Sequence, residues 1–318
     1  MYKHLAATAD AITGQLRLAR FQPYILDINM ESQKQFKRRF SFEFFPPKTE
    51  QGKIKLQGVR DELAAVNPDF FSVTFGAGGS TRDRTLETVF SLHQQGISTA
   101  PHLSCVGGTR AEISELLDTY KANGINRIVA LRGDLPSGMG AAGELRYANE
   151  LVSFIREHSG DYFNLEVAAY PEFHPQARSA EEDLKNFARK VEAGANSAIT
   201  QYFFNADSYL YFIDRLEKSG ITIPVVPGIM PIVNFSSLVR FSDMCGAEIP
   251  RWIRKQLEAY GDDSESIRQF GEEVVTRMCE KLLKAGAPGL HFYTLNQVEP
   301  SLGIWKNLGL GEREKIPF

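Results

Sequence analysis

Glu43 is the one ionisable residue in the aromatic run Phe40-Ser41-Phe42-Glu43-Phe44-Phe45-Pro46-Pro47. In an extended strand, period two places Ser41, Glu43 and Phe45 on one face and Phe40, Phe42 and Phe44 on the other. If the aromatic face packs on a covering layer, Glu43 faces the opposite side. There apolar surroundings would raise its pKa and suit it to general acid work. A structural glutamate paired with Lys or Arg accounts for the same pattern. A second candidate is Leu131-Arg132-Gly133-Asp134-Leu135-Pro136. It sets both charge signs beside a glycine that admits close backbone approach; a loop salt bridge is the plainer reading. Thr74-Phe75-Gly76-Ala77-Gly78-Gly79-Ser80-Thr81 is glycine- and donor-rich, as an anion cradle or a tight turn would be. After Tyr170-Pro171-Glu172-Phe173-His174-Pro175 come Asp183, Asn186, Arg189 and Lys190. Positions 183, 186 and 190 share a helical face. That stripe could hold a dinucleotide, with Asp183 on ribose hydroxyls and Lys190 or Arg189 on phosphate, or it could be a solvated charged face. Gln201 both donates and accepts, as the amide edge of a heterocycle requires.

Other chemistries lack their residues. Gly138-Met139-Gly140-Ala141-Ala142-Gly143 fits G-x-G-x-x-G, but the dinucleotide reading needs its first Gly directly after a strand. Here Gly138 lies six residues past Arg132, across Pro136, so a glycine-rich loop is expected. There is no His-Glu-x-x-His, phosphate-binding P-loop or Gly-x-Ser-x-Gly. The 6 His are scattered and the 3 Cys are widely separated, so neither a metal site nor a disulfide framework is expected. Free cysteines fit a reducing, cytoplasmic setting. With 36 Lys and Arg against 39 Asp and Glu, the net charge of −3 speaks against a nucleic-acid partner. No apolar run reaches the roughly 20 residues of a membrane span.

The elements that must position these side chains follow from periodicity. Apolar bursts at 39–45, 69–75, 98–105, 127–132, 165–170, 197–203, 223–229 and 290–295 carry the strand signature. Helical spacing of apolar residues recurs at 111–123, 144–158 and 181–194, with Gly124 and Gly194 as stops. Strands separated by helices imply right-handed crossovers and a parallel sheet. Eight such units are the count of a (β/α)8 TIM barrel, with a doubly wound sheet as the rival. In a barrel, chemistry gathers where strand carboxyl ends meet their loops, which is where the candidates above fall. The 318 residues divide into a tail at 1–38, expected to be poorly ordered, and a single barrel at 39–318. An insertion at about 231–288 carries at least two helices, at 250–260 and 264–285. A short amphipathic helix could form at 6–18. Met30-Glu31-Ser32-Gln33-Lys34 resembles a translation start, which would make 1–29 dispensable.

Taken in order, several segments resemble the methylenetetrahydrofolate reductase family. They are Phe42 to Thr49, Val73 to Ala77, Ala130 to Pro136, Ala169 to Glu172 and Phe292 to Asn296. The likeness runs from about 39 to 310. It implies a flavin-bearing barrel that reduces 5,10-methylenetetrahydrofolate to the 5-methyl form with electrons from NAD(P)H, supplying methyl groups for methionine synthesis. By that resemblance Glu43 is the general acid and Asp134 the acidic group near flavin and folate. Thr74, Phe75, Ala77, His102, Arg132, Gly133, Asp134, Tyr147, Ala148, Tyr170, His174, Ala177, Asp183, Asn186, Arg189 and Lys190 match FAD positions. Thr74, Asp134, Gln201 and Phe241 match substrate positions. Ser237 and Gln297 fall at substrate positions where relatives carry Gln and Arg. The resemblance also implies a homo-oligomer. The length leaves no room for the regulatory domain of longer relatives. Another FAD barrel, of the proline dehydrogenase kind, and a non-flavin folate-binding protein are the rival readings.

Overall fold

The structure, a computed structural model, describes residues 30–75, 82–105, 108–133 and 143–311. Its first half runs α1 (Glu31–Lys34), β1 (Arg39–Phe44), α2 (Glu50–Ala64), β2 (Phe70–Val73), α3 (Arg82–His93), β3 (Thr99–Ser104), α4 (Arg110–Ala122), β4 (Arg127–Leu131), α5 (Ala148–Ser159) and β5 (Asn164–Ala169). Then come α6 (Ala180–Glu192), β6 (Ser197–Thr200), α7 (Ala206–Lys218), β7 (Val225–Val226), β8 (Gly228–Ile229), α8 (Phe235–Cys245), α9 (Arg251–Tyr260), α10 (Ser264–Ala285), β9 (Gly289–Tyr293) and α11 (Ser301–Asn307). The strands neighbour one another in the order β7-β6-β5-β4-β3-β2-β1-β9-β8, all parallel. This is the expected (β/α)8 barrel, with one difference. The run at 223–229 is two short strands rather than one. β7 pairs with β6 and β8 with β9, and Pro227 between them has no N–H to continue a ladder. The chain there passes from one neighbour to the other and so brings the two ends of the sheet together. Gly228 makes the passage possible, since a Cβ on it would lie 2.1 Å from the Thr200 carbonyl oxygen.

The alternation in β1 divides as its sequence implies. Phe40, Phe42 and Phe44 are buried. Phe40 and Phe42 pack on Trp305 of α11, and Phe42 and Phe44 on Phe71. Ser41 and Glu43 therefore point inward. A smaller apolar cluster of Phe70, Ala100, Val129 and Ile199 fills the barrel interior. Toward the amino-terminal end of the strands, Arg127 and Ser197 both bond the buried Glu166 carboxylate. Such layered filling makes the barrel a packed core with one usable mouth.

The expected tail at 1–38 is corrected from Met30 onward. Met30 and Gln33 have no solvent exposure. The Gln33 side chain donates to the Ile223 carbonyl at 3.1 Å and accepts from the Val225 N–H at 2.9 Å. It thereby satisfies backbone groups at the entrance to β7, so 30–38 belongs to the barrel. Residues 1–29, with the expected helix at 6–18, lie outside the described residues. Gln33→Ala should leave both backbone groups unpaired and cost about 2–4 kcal/mol. Urea unfolding monitored by circular dichroism would measure it, and an unchanged midpoint would show the contact to be idle.

The insertion holds three helices, where at least two were expected. α9 and α10 fall at the expected places. The third, α8, is serine-rich and weakly periodic in apolar residues. It forms because the Asn234 side chain accepts from the Ser237 N–H at 2.9 Å, a sound N-cap. It ends at Gly246, with φ 72°.

Candidate active site

Glu43 stands one residue before the end of β1, in register with Ser72 of β2 and Tyr293 of β9. Its carboxylate is clamped by three side chains from three other strands. Ser72 donates to Oε2 at 3.3 Å. His291 Nε2 lies 3.3 Å from the same oxygen, and His102 Nε2 lies 3.2 Å from it. Behind this group, Ser41 Oγ meets His291 Nδ1 at 2.7 Å. Above it, the Glu43 carbonyl accepts from Thr294 Oγ1 at 2.6 Å. The mouth is latched at the next residue out, where the Asn296 amide bonds both the N–H and the carbonyl of Phe45. Leu295 and Asn296 adopt left-handed backbone to reach it, with φ 53° and 55°.

The expected raised pKa of Glu43 is reversed. Burial does push the carboxyl up and is the largest single influence, but the two imidazoles together outweigh it and hold it down at about 2. The cause is a pair of His neighbours that spacing along one strand does not reveal. The alternative of a Lys or Arg partner is likewise not met, since the partners are imidazoles. Tyr293, also facing Glu43, has its phenol pushed well up by burial and by that carboxylate, so it is a neutral donor. Its hydroxyl donates to the Thr200 carbonyl at 2.7 Å.

The residues matched to a flavin form an arc over the carboxyl ends of β2 to β5. Thr74 follows β2, and its buried Oγ1 has no partner among the described residues. His102 is in β3. Arg132, after β4, donates to Gln176 at 2.7 Å, and Gly133 beside it has φ 85°. Tyr147 caps the start of α5, which opens with Ala148, and Tyr147 is 58% exposed. Tyr170 and His174 make an edge contact with centroids 4.6 Å apart. Ala177 closes the turn by donating to the His174 carbonyl.

The stripe on α6 divides. Asp183 accepts from the His174 N–H at 3.0 Å, and Lys190 Nζ turns in to the Ala168 carbonyl at 2.5 Å. Arg189 instead stays on the outer surface with Asn186 and Glu182. Burial outweighs the attraction of Asp183 and lowers Lys190 to about 8. Burial likewise raises Asp183 against the pull of the His174 N–H and Lys190.

The residues matched to substrate positions lie on other elements. Gln201, just past β6, lines a small cleft with Tyr170, Glu172 and Cys245. Phe241 is one helical turn after Ser237 on α8, with Arg240 over its ring. Gln297 lines a groove of about 520 Å³ between α2 and α10, together with Lys55 and Arg268. Phe75 is at the edge of the described residues. Ala77, Asp134 and the glycine motif at 138–142 lie outside them. Among the described residues no His, Cys, Asp and Glu group is set to hold a metal, and no helix is long and apolar enough to cross a membrane.

Residue-by-residue reading missed His291, Ser72 and the role of Ser41. His291 was within reach, because period two in Gly289-Leu290-His291-Phe292-Tyr293 sends His291 and Tyr293 to the face opposite Leu290 and Phe292. Ser72 carries no signal apart from its register with Glu43.

Comparison with known proteins bears on the family and the fold. Over 271 residues the chain is 44% identical to the 5,10-methylenetetrahydrofolate reductase of Salmonella typhimurium, covering 85% of this chain and 90% of that one. The corresponding Escherichia coli protein is 43% identical over the same span. A maize relative named methylenetetrahydrofolate reductase (NADH) 1 is 42% identical over 291 residues, but the match spans only 49% of its length. Among solved structures, an uncharacterized Clostridium thermocellum protein that binds two copies of 5-methyl-5,6,7,8-tetrahydrofolic acid superposes with a TM-score of 0.61. At 17% identity, covering 90% of this chain and 97% of that one, it speaks to the fold alone. The methylenetetrahydrofolate reductase family pattern matches residues 28–309, and the chain belongs to that family.

Proposed function

We propose that this protein reduces 5,10-methylenetetrahydrofolate to 5-methyltetrahydrofolate with electrons from NAD(P)H carried by a bound FAD, and so supplies methyl groups for methionine synthesis. The observation that carries the reading is Glu43, a carboxylate held at the barrel mouth between two imidazoles in a chain of this family. The maize relative's printed name supports NADH as the donor.

The arc over β2 to β5 fits FAD. Thr74 Oγ1 is a buried hydroxyl without a partner among the described residues. Lys190 is a cation on a carbonyl at the end of β5, positioned for a phosphate. Asp183 beside it suits ribose hydroxyls. FAD, when bound, accepts two electrons from the nicotinamide donor and returns them to the folate. The protein's own part is positional and protonic. Glu43 delivers a proton to folate N10, the N10–methylene bond breaks with its electron pair going to N10, and a cationic iminium forms at N5. Asp134, by family resemblance, offers that cation an anionic partner. Gln201 orients the pterin edge, and Phe241 covers it. The purified protein should be yellow and should bleach on anaerobic addition of NADH or NADPH. A colourless, folded protein that takes up no added FAD would contradict the proposal.

A further inference from the structure

We propose that the lower end of the barrel, opposite the mouth, binds a small anion of the carboxylate or phosphate class between Arg39, Arg127 and Asn164. The site goes beyond folate reduction and does not depend on it. Alternation in β1 sends Arg39 to the same face as Ser41 and Glu43, so its side chain heads for the barrel axis at the amino-terminal end. Arg127 does the same from β4, because Val129 two residues on belongs to the interior apolar cluster. Below that cluster lies a chamber of about 110 Å³, lined in part by Lys37, Arg39, Asn164, Glu166 and Asn196. Lys37 comes from the entry segment that Gln33 anchors. The rest of the wall is largely apolar, with Phe70, Ile199 and Val226.

The hydrogen-bonding groups give the ligand its sign. The acceptors at this end are already engaged. Arg127 and Ser197 hold the two oxygens of Glu166. The Asn164 side-chain oxygen accepts from Arg127 at 2.7 Å. That of Asn196 accepts from Arg156 at 2.5 Å and from the Leu165 N–H at 2.8 Å. The donors are not engaged. Arg127 uses Nη1 alone. The amide nitrogens of Asn164 and Asn196, the Arg39 guanidinium and the Lys37 ammonium have no acceptor among the described residues. Asp69, the other carboxylate near Arg127, accepts from the Phe40 N–H at 2.7 Å. Three cations against two carboxylates leave this end positive. Burial is the main influence lowering Arg127; Glu166 opposes it and Arg39 adds to it. A bound anion takes the unengaged donors in charge-assisted hydrogen bonds and relieves the repulsion between the two guanidinium groups. It also braces β1 against β4 and β5, which are not its neighbours in the sheet. The apolar wall favours a carboxylate on a short apolar body over free phosphate.

Isothermal titration and thermal unfolding of the full chain test the site, with butyrate and inorganic phosphate as probes. Ionic strength is held constant with chloride, because exposed cations are screened by salt. Wild type should bind butyrate saturably and gain about 3 °C in Tm at about ten times its Kd. Arg39→Gln should weaken that binding about tenfold or more, the scale of one charge-assisted hydrogen bond, and Lys37→Gln should weaken it less. Without butyrate, Arg39→Gln should melt no lower than wild type, since its repulsion with Arg127 is gone. At saturating butyrate it should melt lower, a crossing that a merely structural arginine would not produce. Arg38→Gln is the control. That guanidinium turns to the Leu283 carbonyl at 2.8 Å, so the response to butyrate should survive its loss. Phosphate binding more tightly than butyrate, and weakened by Arg39→Gln, would assign the site to free phosphate. Absence of saturable binding by both probes, or equal weakening in Arg39→Gln and Arg38→Gln, would overturn the proposal.

Discussion

Glu43→Gln is expected to lower kcat for methylenetetrahydrofolate reduction by about a thousandfold while leaving NADH oxidation with an artificial acceptor within about twofold. The amide keeps the shape and a hydrogen bond to the imidazoles but has no proton to deliver to N10. Accepting electrons from a nicotinamide needs no acid at this position, so the two activities separate. Steady-state assays with the folate and with a quinone acceptor, on the same preparation, would read both. Equal losses would show that Glu43 acts by shaping the site. The variant has a second signature in acid. Glu43 falls from its ordinary 4.5 to about 2 in the folded protein. A depressed carboxyl contributes stability that is present above its unfolded pKa and is lost as pH falls through the folded one. The stability gap between wild type and variant should therefore close between about pH 4.5 and 2.

Lys190→Met should weaken FAD binding by about ten- to a hundredfold, the range of one charge-assisted hydrogen bond to a phosphate. Its length and apolar stem are retained, so packing along α6 should survive. The pH dependence follows from its lowered pKa, near 8. A lysine is charged below its pKa, so wild-type flavin affinity should decline as pH rises through about 8. Binding near that pH should take up protons, because a phosphate beside the amine favours its charged form. Flavin fluorescence titrations from pH 6.5 to 9.5 would measure both effects. A variant that keeps wild-type affinity and the same pH dependence would remove Lys190 from the phosphate site. Arg189 serves as the comparison. It is engaged with Asn186 and Glu182 on the outer face, and Arg189→Met should change affinity little.

How much of this was legible in the sequence varied with the kind of interaction. Local periodicity carried most of the barrel, because strand and helix faces are written in spacings of two and of three to four. It placed α10 at its observed limits and turned Glu43 inward. The break at Pro227 was visible as a residue, but its consequence depends on which strands lie on either side. Gln33 looked like part of a polar tail, and only the unpaired groups of Ile223 and Val225 explain its burial. The largest miss concerned the charge of Glu43. A raised pKa follows from aromatic neighbours along one strand, yet the groups that decide its charge come from β3 and β9, about 60 and 250 residues away in the chain. Residues that act along one strand can be read locally. Residues that meet across a barrel need the register.

Anaerobic single turnover tests the central claim most directly. Protein reduced with NADH is mixed with 5,10-methylenetetrahydrofolate, and flavin absorbance and folate product are followed together. Wild type should regain its yellow colour and form one equivalent of 5-methyltetrahydrofolate, and reduced Glu43→Gln should do neither on that timescale. Product formation at equal rates in both proteins, or reduced wild type that forms none, would contradict the account.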